Sequence, residues 1–228
     1  MYEFETEPYD HQRLVFDESW RRPFHAWFLE MGTGKTKVAL DNAAALFEAG
    51  EIDSVLIIAP KGVYDNWTFR EIPTHLPARV KTLLVRWQPN KTKGFEAQML
   101  ELVQRTDKRL RILVMNVEAL STKKGAMTAF LYLENHPKNM VIVDESTTIK
   151  NRKAARTSNI LKCGRLAKFR RILTGSPITK SPMDLFSQCE FLSREALGHK
   201  SYYGFQQRYA VVQRRTLGHR SFQEITGY

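Results

Sequence analysis

Three short stretches of this sequence combine residue types that phosphate chemistry requires. Leu29-Glu30-Met31-Gly32-Thr33-Gly34-Lys35-Thr36 places a Lys-Thr pair directly after two spaced glycines. Gly32 and Gly34 permit tight turns and positive φ, so backbone N–H groups can surround a β-phosphate. The Lys35 ammonium can reach β- and γ-phosphates, and the Thr36 hydroxyl can ligate Mg²⁺. The general pattern G-x-x-x-x-G-K-[ST] is met at Gly34, Lys35 and Thr36, but its first glycine falls on Leu29, which leaves open a plain Gly-rich turn before a helix. The second stretch, residues 140–147, is an apolar run ending in Asp144 and Glu145. At a strand end Asp144 would hold the Mg²⁺ shell and Glu145 would polarise an attacking water. An acidic turn after a strand is common by itself; an upstream phosphate loop is what gives it meaning. The third, residues 170–178, carries the small polar turn Thr174-Gly175-Ser176-Pro177, whose hydroxyls could sense a γ-phosphate and report to a bound strand.

Such residues need a rigid frame, and the sequence supplies one. Short apolar runs recur at Ala26 to Leu29, Val55 to Ala59, Leu83 to Val85, Ile112 to Met115, Val141 to Val143 and Ile172 to Leu173, with helical stretches between them. That alternation predicts an α/β fold with a mostly parallel sheet and helices on both faces. After the Gly-rich stretch, Val38, Ala43, Leu46 and Phe47 keep helical period and Gly50 stands as the terminator. Residues 86–94 read as a basic surface loop. Beyond Gly198 the rhythm breaks: a helix is expected around Phe205 to Val212, followed by a segment with no evident sheet role, and the expectation is a chain that is cut short at Tyr228.

With 228 residues, 43% of them hydrophobic, one domain is the simplest expectation. The 35 Lys and Arg against 24 Asp and Glu leave a net charge of +11, which favours a polyanionic partner; a merely well-solvated surface is the other reading. Cys163 and Cys189 form no CxxC pair and no disulfide framework, in keeping with a reducing compartment. No apolar run approaches the ~18 residues of a membrane span, and the six histidines form no H-E-x-x-H pair for zinc. The expected protein is soluble, intracellular (cytoplasmic or nucleoid-associated) and monomeric.

In order and spacing these stretches resemble the first RecA-like lobe of a superfamily-two helicase, specifically of the Swi/Snf-type DNA translocases. The segment with Gln12 (residues 9–13) resembles the adenine-sensing Gln motif, and Glu30 to Thr36 the family's phosphate loop. Residues 55–67 resemble motif Ia with its trailing Trp67, and residues 112–120, with Asn116, resemble motif Ib. Residues 141–151 are similar to the Asp-Glu box with its trailing Lys150-Asn151, and residues 173–192 to motif III and the helix after it. The resemblance implies catalytic roles for Lys35, Asp144 and Glu145. It further implies nucleotide contacts from Gln12, Met31, Gly32, Thr33, Gly34, Lys35 and Thr36, and Mg²⁺ held by Thr36 and Asp144. Nucleic-acid contacts would come from Pro60, Lys61, Asn116, Lys150 and Asn151, and coupling from Thr147, Thr174, Gly175 and Ser176. ATP and Mg²⁺ are the implied cofactors, with DNA, duplex or single strand, held by its backbone.

Two departures stand out: Thr147 occupies the place of the family's His, and Leu29 that of a frequent Asp. The tail from Phe205 onward resembles the annealing-helicase branch, in which a similar segment precedes a second lobe carrying the arginine finger. Residues 1–197 would then be the ATP-binding lobe and 198–228 an extension toward that second lobe. Pro60 and Lys61 are equally an ordinary helix-starting turn. The cluster Lys150 to Lys153 is equally a solvated face, and Trp67 is expected to pack inward. Other classes remain: an RNA or DNA unwinding helicase, a restriction-type translocase subunit, a nucleotide-dependent binding module without turnover, against which Glu145 argues, and a small phosphate-loop kinase, against which the Asp-Glu pair and the Gln12 segment argue.

Overall fold

The computed structural model describes residues 2–90, 92–104, 107–199, 201–217 and 220–227. The six apolar runs become β1 (Phe24–Phe28), β2 (Ser54–Ala59), β3 (Thr82–Arg86), β4 (Leu110–Asn116), β5 (Asn139–Asp144) and β6 (Phe169–Thr174). They form one sheet in the order β1-β6-β5-β2-β4-β3, and every pairing in it is parallel. Helices α1 (Asp10–Ser19) and α2 (Lys35–Glu48) cover one face. They are joined there by α3 (Tyr64–Asn66), which runs through a π-helical turn (Trp67–Glu71) into α4 (Ile72–His75). Helices α5 (Lys93–Val103), α6 (Lys123–Asn135), α7 (Ala155–Leu166) and α8 (Asp184–Leu192) contribute to the other. Val55 and Ile57 therefore pack toward α2, while Leu56 and Ile58 pack toward α6 and α7. Burial on both faces explains why β2 and β5 read as continuous apolar runs rather than alternating ones.

Because all six strands run the same way, their C-terminal ends share one edge. Phe28 is level with Thr174, Leu173 with Asp144, Val143 with Ile58, and Ala59 with Asn116. The loops that follow β1, β6, β5, β2 and β4 are thus brought abreast, the position where open α/β sheets bind ligands. At the opposite end, fully buried Arg171 donates to the Asn42 side chain and to the carbonyls of Ser19, Trp20 and Pro23, fastening the C-terminus of α1 to the sheet and to α2. Gly50 closes α2 as expected: at φ +71° it donates to Phe47 O, while Glu51 N bonds Leu46 O.

Two expectations need correction. The stretch 86–94 is shorter as a loop than its composition suggests, since Trp87 is buried, bonds Val114 O and prolongs the β3 edge, and Thr92 caps α5. The C-terminal helix, α9 (Tyr202–Tyr209), ends before Val212, and the remainder forms an antiparallel hairpin of β7 (Val211–Leu217) and β8 (Arg220–Gly227). Val211 and Val212 continue the helical period, but their β-branched side chains favour the extended backbone already adopted at Ala210. Phe205 packs on Met183 and Phe186, which joins α9 to α8.

Candidate nucleotide and nucleic-acid site

The Gly-rich loop joins β1 to α2. Gly32 and Gly34 sit at φ +78° and +77°. At Gly34 two demands coincide, because an added Cβ would lie 2.2 Å from Gln12 Nε2 as well as being forced into the left-handed region. Gln12, buried, spans the junction: its Nε2 donates to Thr33 O at 2.9 Å and its Oε1 accepts from Tyr9 N at 3.0 Å. His11 also places a ring nitrogen 3.0 Å from Thr33 O. Lys35 folds back on its own loop and donates to Leu29 O at 2.9 Å and Glu30 O at 2.8 Å. Leu29 serves the loop through its carbonyl while its side chain packs against the core, so the missing glycine costs this contact nothing. Thr36 lies in the first turn of α2, and Met31 is exposed at the loop's crest.

Asp144 ends β5 and is 7% exposed. Its Oδ2 accepts from the Trp67 indole N–H at 2.8 Å and its Oδ1 from Glu145 N at 2.9 Å. Burial pushes its pKa up, opposed by the indole bond, by the Glu145 N–H bond and by the Lys35 charge. A carboxylate desolvated in this way gains from a cation beside it, which suits a Mg²⁺ ligand. Glu145 holds φ +45° and ψ +62°, the one non-glycine positive φ among the described residues. Such a conformation costs about 1–3 kcal/mol and persists where the surroundings impose it. Here Thr174 Oγ1 donates to Glu145 Oε2 at 3.3 Å, while Ser176 N donates to Thr174 Oγ1 at 3.2 Å. A second link runs alongside: Ser146 Oγ donates to Gln188 Oε1 at 2.6 Å, and Gln188 Nε2 donates to Pro177 O at 2.7 Å. Gly175 lies against the phosphate loop, where a Cβ would come 3.4 Å from Met31 N. The acidic box, the polar turn and the phosphate loop therefore form one connected body.

Thr147 lies in the 3-10 turn Ser146–Ile149, beside rather than within these two links. Pro60 O accepts from Val63 N and Tyr64 N, so the Pro60-Lys61 turn does start a helix, with Lys61 exposed. Asn116 Oδ1 accepts from Ala119 N and caps the 3-10 turn Val117–Ser121. Lys150 donates to Thr179 Oγ1, and Asn151 accepts from Lys153 N at 3.1 Å. Asn116 ends β4, and Pro60, Lys61, Lys150 and Asn151 follow β2 and β5, all on the same sheet edge as the phosphate loop.

Sequence reasoning missed three participants. Trp67 packs inward as expected, yet its N–H is spent on Asp144; a buried indole needs an acceptor, and that need was the available signal. Gln188 and Ser146 gave a fainter one: a polar Gln among the apolar positions of α8 marks a buried hydrogen-bonding duty.

The model of the SNF2-related domain matches residues 27–225 of the chain. The ATP-dependent helicase FUN30 of Saccharomyces cerevisiae is 26% identical over 164 residues, covering 72% of this chain and 13% of the relative. The DNA annealing helicase and endonuclease ZRANB3 of Bos taurus is 30% identical over 203 residues, 87% of this chain and 17% of that protein. The chain thus spans under a fifth of either relative. The solved SWI2/SNF2 ATPase core of Sulfolobus solfataricus in complex with dsDNA superposes with a TM-score of 0.67 at 19% identity, covering 90% of this chain and 39% of that one. That likeness shows the fold.

Proposed function

The chain belongs to the SNF2-related domain family, within the superfamily-two helicase and translocase ATPases, and on that premise we propose that it is the ATP-hydrolysing first lobe of a DNA translocase that tracks the backbone without sequence preference. One observation carries the reading: the phosphate loop, Asp144-Glu145 and Thr174 to Pro177 meet on one edge, with the acidic box and the polar turn hydrogen-bonded together and Gly175 lying against the loop. The loop N–H groups and Lys35 would bind the triphosphate, Thr36 and Asp144 would hold Mg²⁺, and Gln12 would sense the adenine. Mg·ATP supplies the phosphoanhydride whose cleavage drives movement. Glu145, aimed by Thr174 and by its own strained backbone, would orient the attacking water and take its proton. Thr174 also joins Glu145 to the turn at Ser176, so a change at the γ-phosphate position would be felt at Pro177 and Gln188. With Thr147 in place of the family's His, these two links offer the route of coupling.

Lys61, Asn116, Lys150 and Asn151 on the same edge, with the +11 charge, support backbone contacts to nucleic acid. The dsDNA held by the Sulfolobus ATPase core and the annealing helicase among the relatives favour DNA and that branch. Among the described residues no helix is long and apolar enough to cross a membrane. A second lobe would supply the arginine finger, worth about 10³–10⁵ in rate. The test is phosphate release by this chain, by the chain extended through the following lobe, and by the extended Glu145→Gln variant, each with and without DNA. DNA-stimulated turnover confined to the extended wild-type chain supports the account. Vigorous DNA-stimulated turnover by residues 1–228 alone overturns the two-lobe assignment.

A further inference from the structure

Near the same sheet edge lies a second hollow that the ATP chemistry does not employ and that shares Lys150 and Asn151 with the backbone contacts. It opens between the turn after the acidic box, the start of α8, and α9, with a volume of about 400 Å³. Arg152, Lys153, Tyr202, Tyr203 and Gln206 line it together with Lys150. The Arg152 guanidinium lies 4.5 Å over the Tyr202 ring and 5.6 Å from the Tyr203 ring. Tyr202 is fixed from behind, edge-on to Phe186 at 5.4 Å. Tyr203 meets Tyr202 edge-on at 5.8 Å and is 63% exposed. One aromatic is thus anchored and its neighbour is presented to solvent, with cations on the rim.

An exposed ring beside an arginine plane and flanking lysines is the combination that binds single strands. Bases stack on the ring and phosphates meet the cations, and the result tolerates any sequence because every base has a π-face. A paired base cannot use it, since both of its faces are already stacked within the duplex. A free phosphate would gain nothing from the tyrosines. The hollow is joined to the catalytic body as well: Lys150 donates to Thr179 Oγ1, which donates to Asp184 at the head of α8, and α8 carries Gln188.

We propose that this hollow binds one unpaired nucleotide of a nucleic-acid strand, its base stacked against Tyr203 and Arg152 and its flanking phosphates met by Lys150 and Lys153. This rests on the nucleic-acid reading above and adds to it a contact specific for unpaired bases. Gln206, with donor and acceptor on one amide, can satisfy the edge of any base.

The test is fluorescence anisotropy at fixed salt with three labelled probes: a mixed-sequence single strand, a strand of equal length made of abasic residues, and a blunt duplex. Tyr203→Ala and Arg152→Gln, both at exposed positions, are compared with wild type, with thermal melting confirming that each is folded. Each variant is expected to weaken the single strand about tenfold, and Tyr203→Ala to change abasic-strand and duplex affinity less than about twofold. Single-strand affinity within about twofold of wild type in both variants overturns the proposal, as does an equal loss on all three probes, which would make the hollow a backbone contact only. A nucleoside monophosphate that competes as well as the strand per nucleotide also overturns it in favour of a free-nucleotide site. Lys61→Glu distinguishes the parent reading: it should weaken duplex and single strand alike, and wild type that binds none of the probes sinks that reading together with this one.

Discussion

Replacing Trp67 with Phe keeps an aromatic ring in the core and deletes one N–H. The bond lost is 2.8 Å long, from an indole with no exposure to a carboxylate that is 7% exposed. Hydrogen bonds to charged groups of this kind contribute about 1.5–3 kcal/mol, and the smaller ring adds a cavity cost of its own. The two parts separate in a double-mutant cycle with Asp144→Ala, because the alanine offers the indole no acceptor. Urea unfolding at pH 7 of wild type, both single variants and the double variant should give a coupling of about 1.5–3 kcal/mol between the two sites. Because Asp144 is also the expected Mg²⁺ ligand, Trp67→Phe should weaken ATP binding more in the presence of Mg²⁺ than in its absence. Additivity of the two substitutions within about 0.5 kcal/mol would refute the argument, since the indole would then only fill space.

Gly34→Ala should lose about 1–2 kcal/mol to left-handed strain, and by displacing Gln12 Nε2 it should lower Mg·ATP affinity more than about tenfold; urea midpoints and calorimetry read the two effects. Burial, with the Arg171 and Arg22 charges, holds the His25 imidazole down at about 4 against an ordinary 6.5. Between those values the unfolded chain binds a proton that the folded chain does not, so stability should rise with pH from about 4 to 6.5, and His25→Gln should flatten that limb in melting temperatures measured across the range. Duplex binding should weaken with salt at a log–log slope of about −0.9 per phosphate neutralised, and Lys61→Glu should reduce the slope's magnitude by about one such contact.

The inner strands β2, β4 and β5 were legible because two-sided burial writes itself as unbroken apolar runs, and each of the six became a strand within a few residues of its expected limits. Strand order was not legible, since pairing of β1 with β6 joins residues far apart in sequence and leaves no local pattern. Lys35, Asp144 and Glu145 were visible as residue types in order; the bonds that hold Lys35 to its own loop, Asp144 to Trp67 and Glu145 to Thr174 were not. Gln188 and Trp67 look like ordinary helix residues until the fold places one beneath Ser146 and the other against Asp144. The C-terminal hairpin was hidden because Ala210, Val211 and Val212 satisfy a helical period for one more turn, and only the β-branching of the two valines speaks against it.

The central claim, that this sheet edge is a Mg·ATP site, is tested most directly by calorimetric titration of the chain and its Lys35→Ala variant with ATP in the presence of Mg²⁺. The account predicts saturable one-to-one binding by the wild type and a strong loss of affinity in the variant, because a charge-assisted contact to phosphate is removed from a loop whose remaining N–H groups stay in place. Equal affinity in the two proteins, or no binding by the wild type, would contradict it.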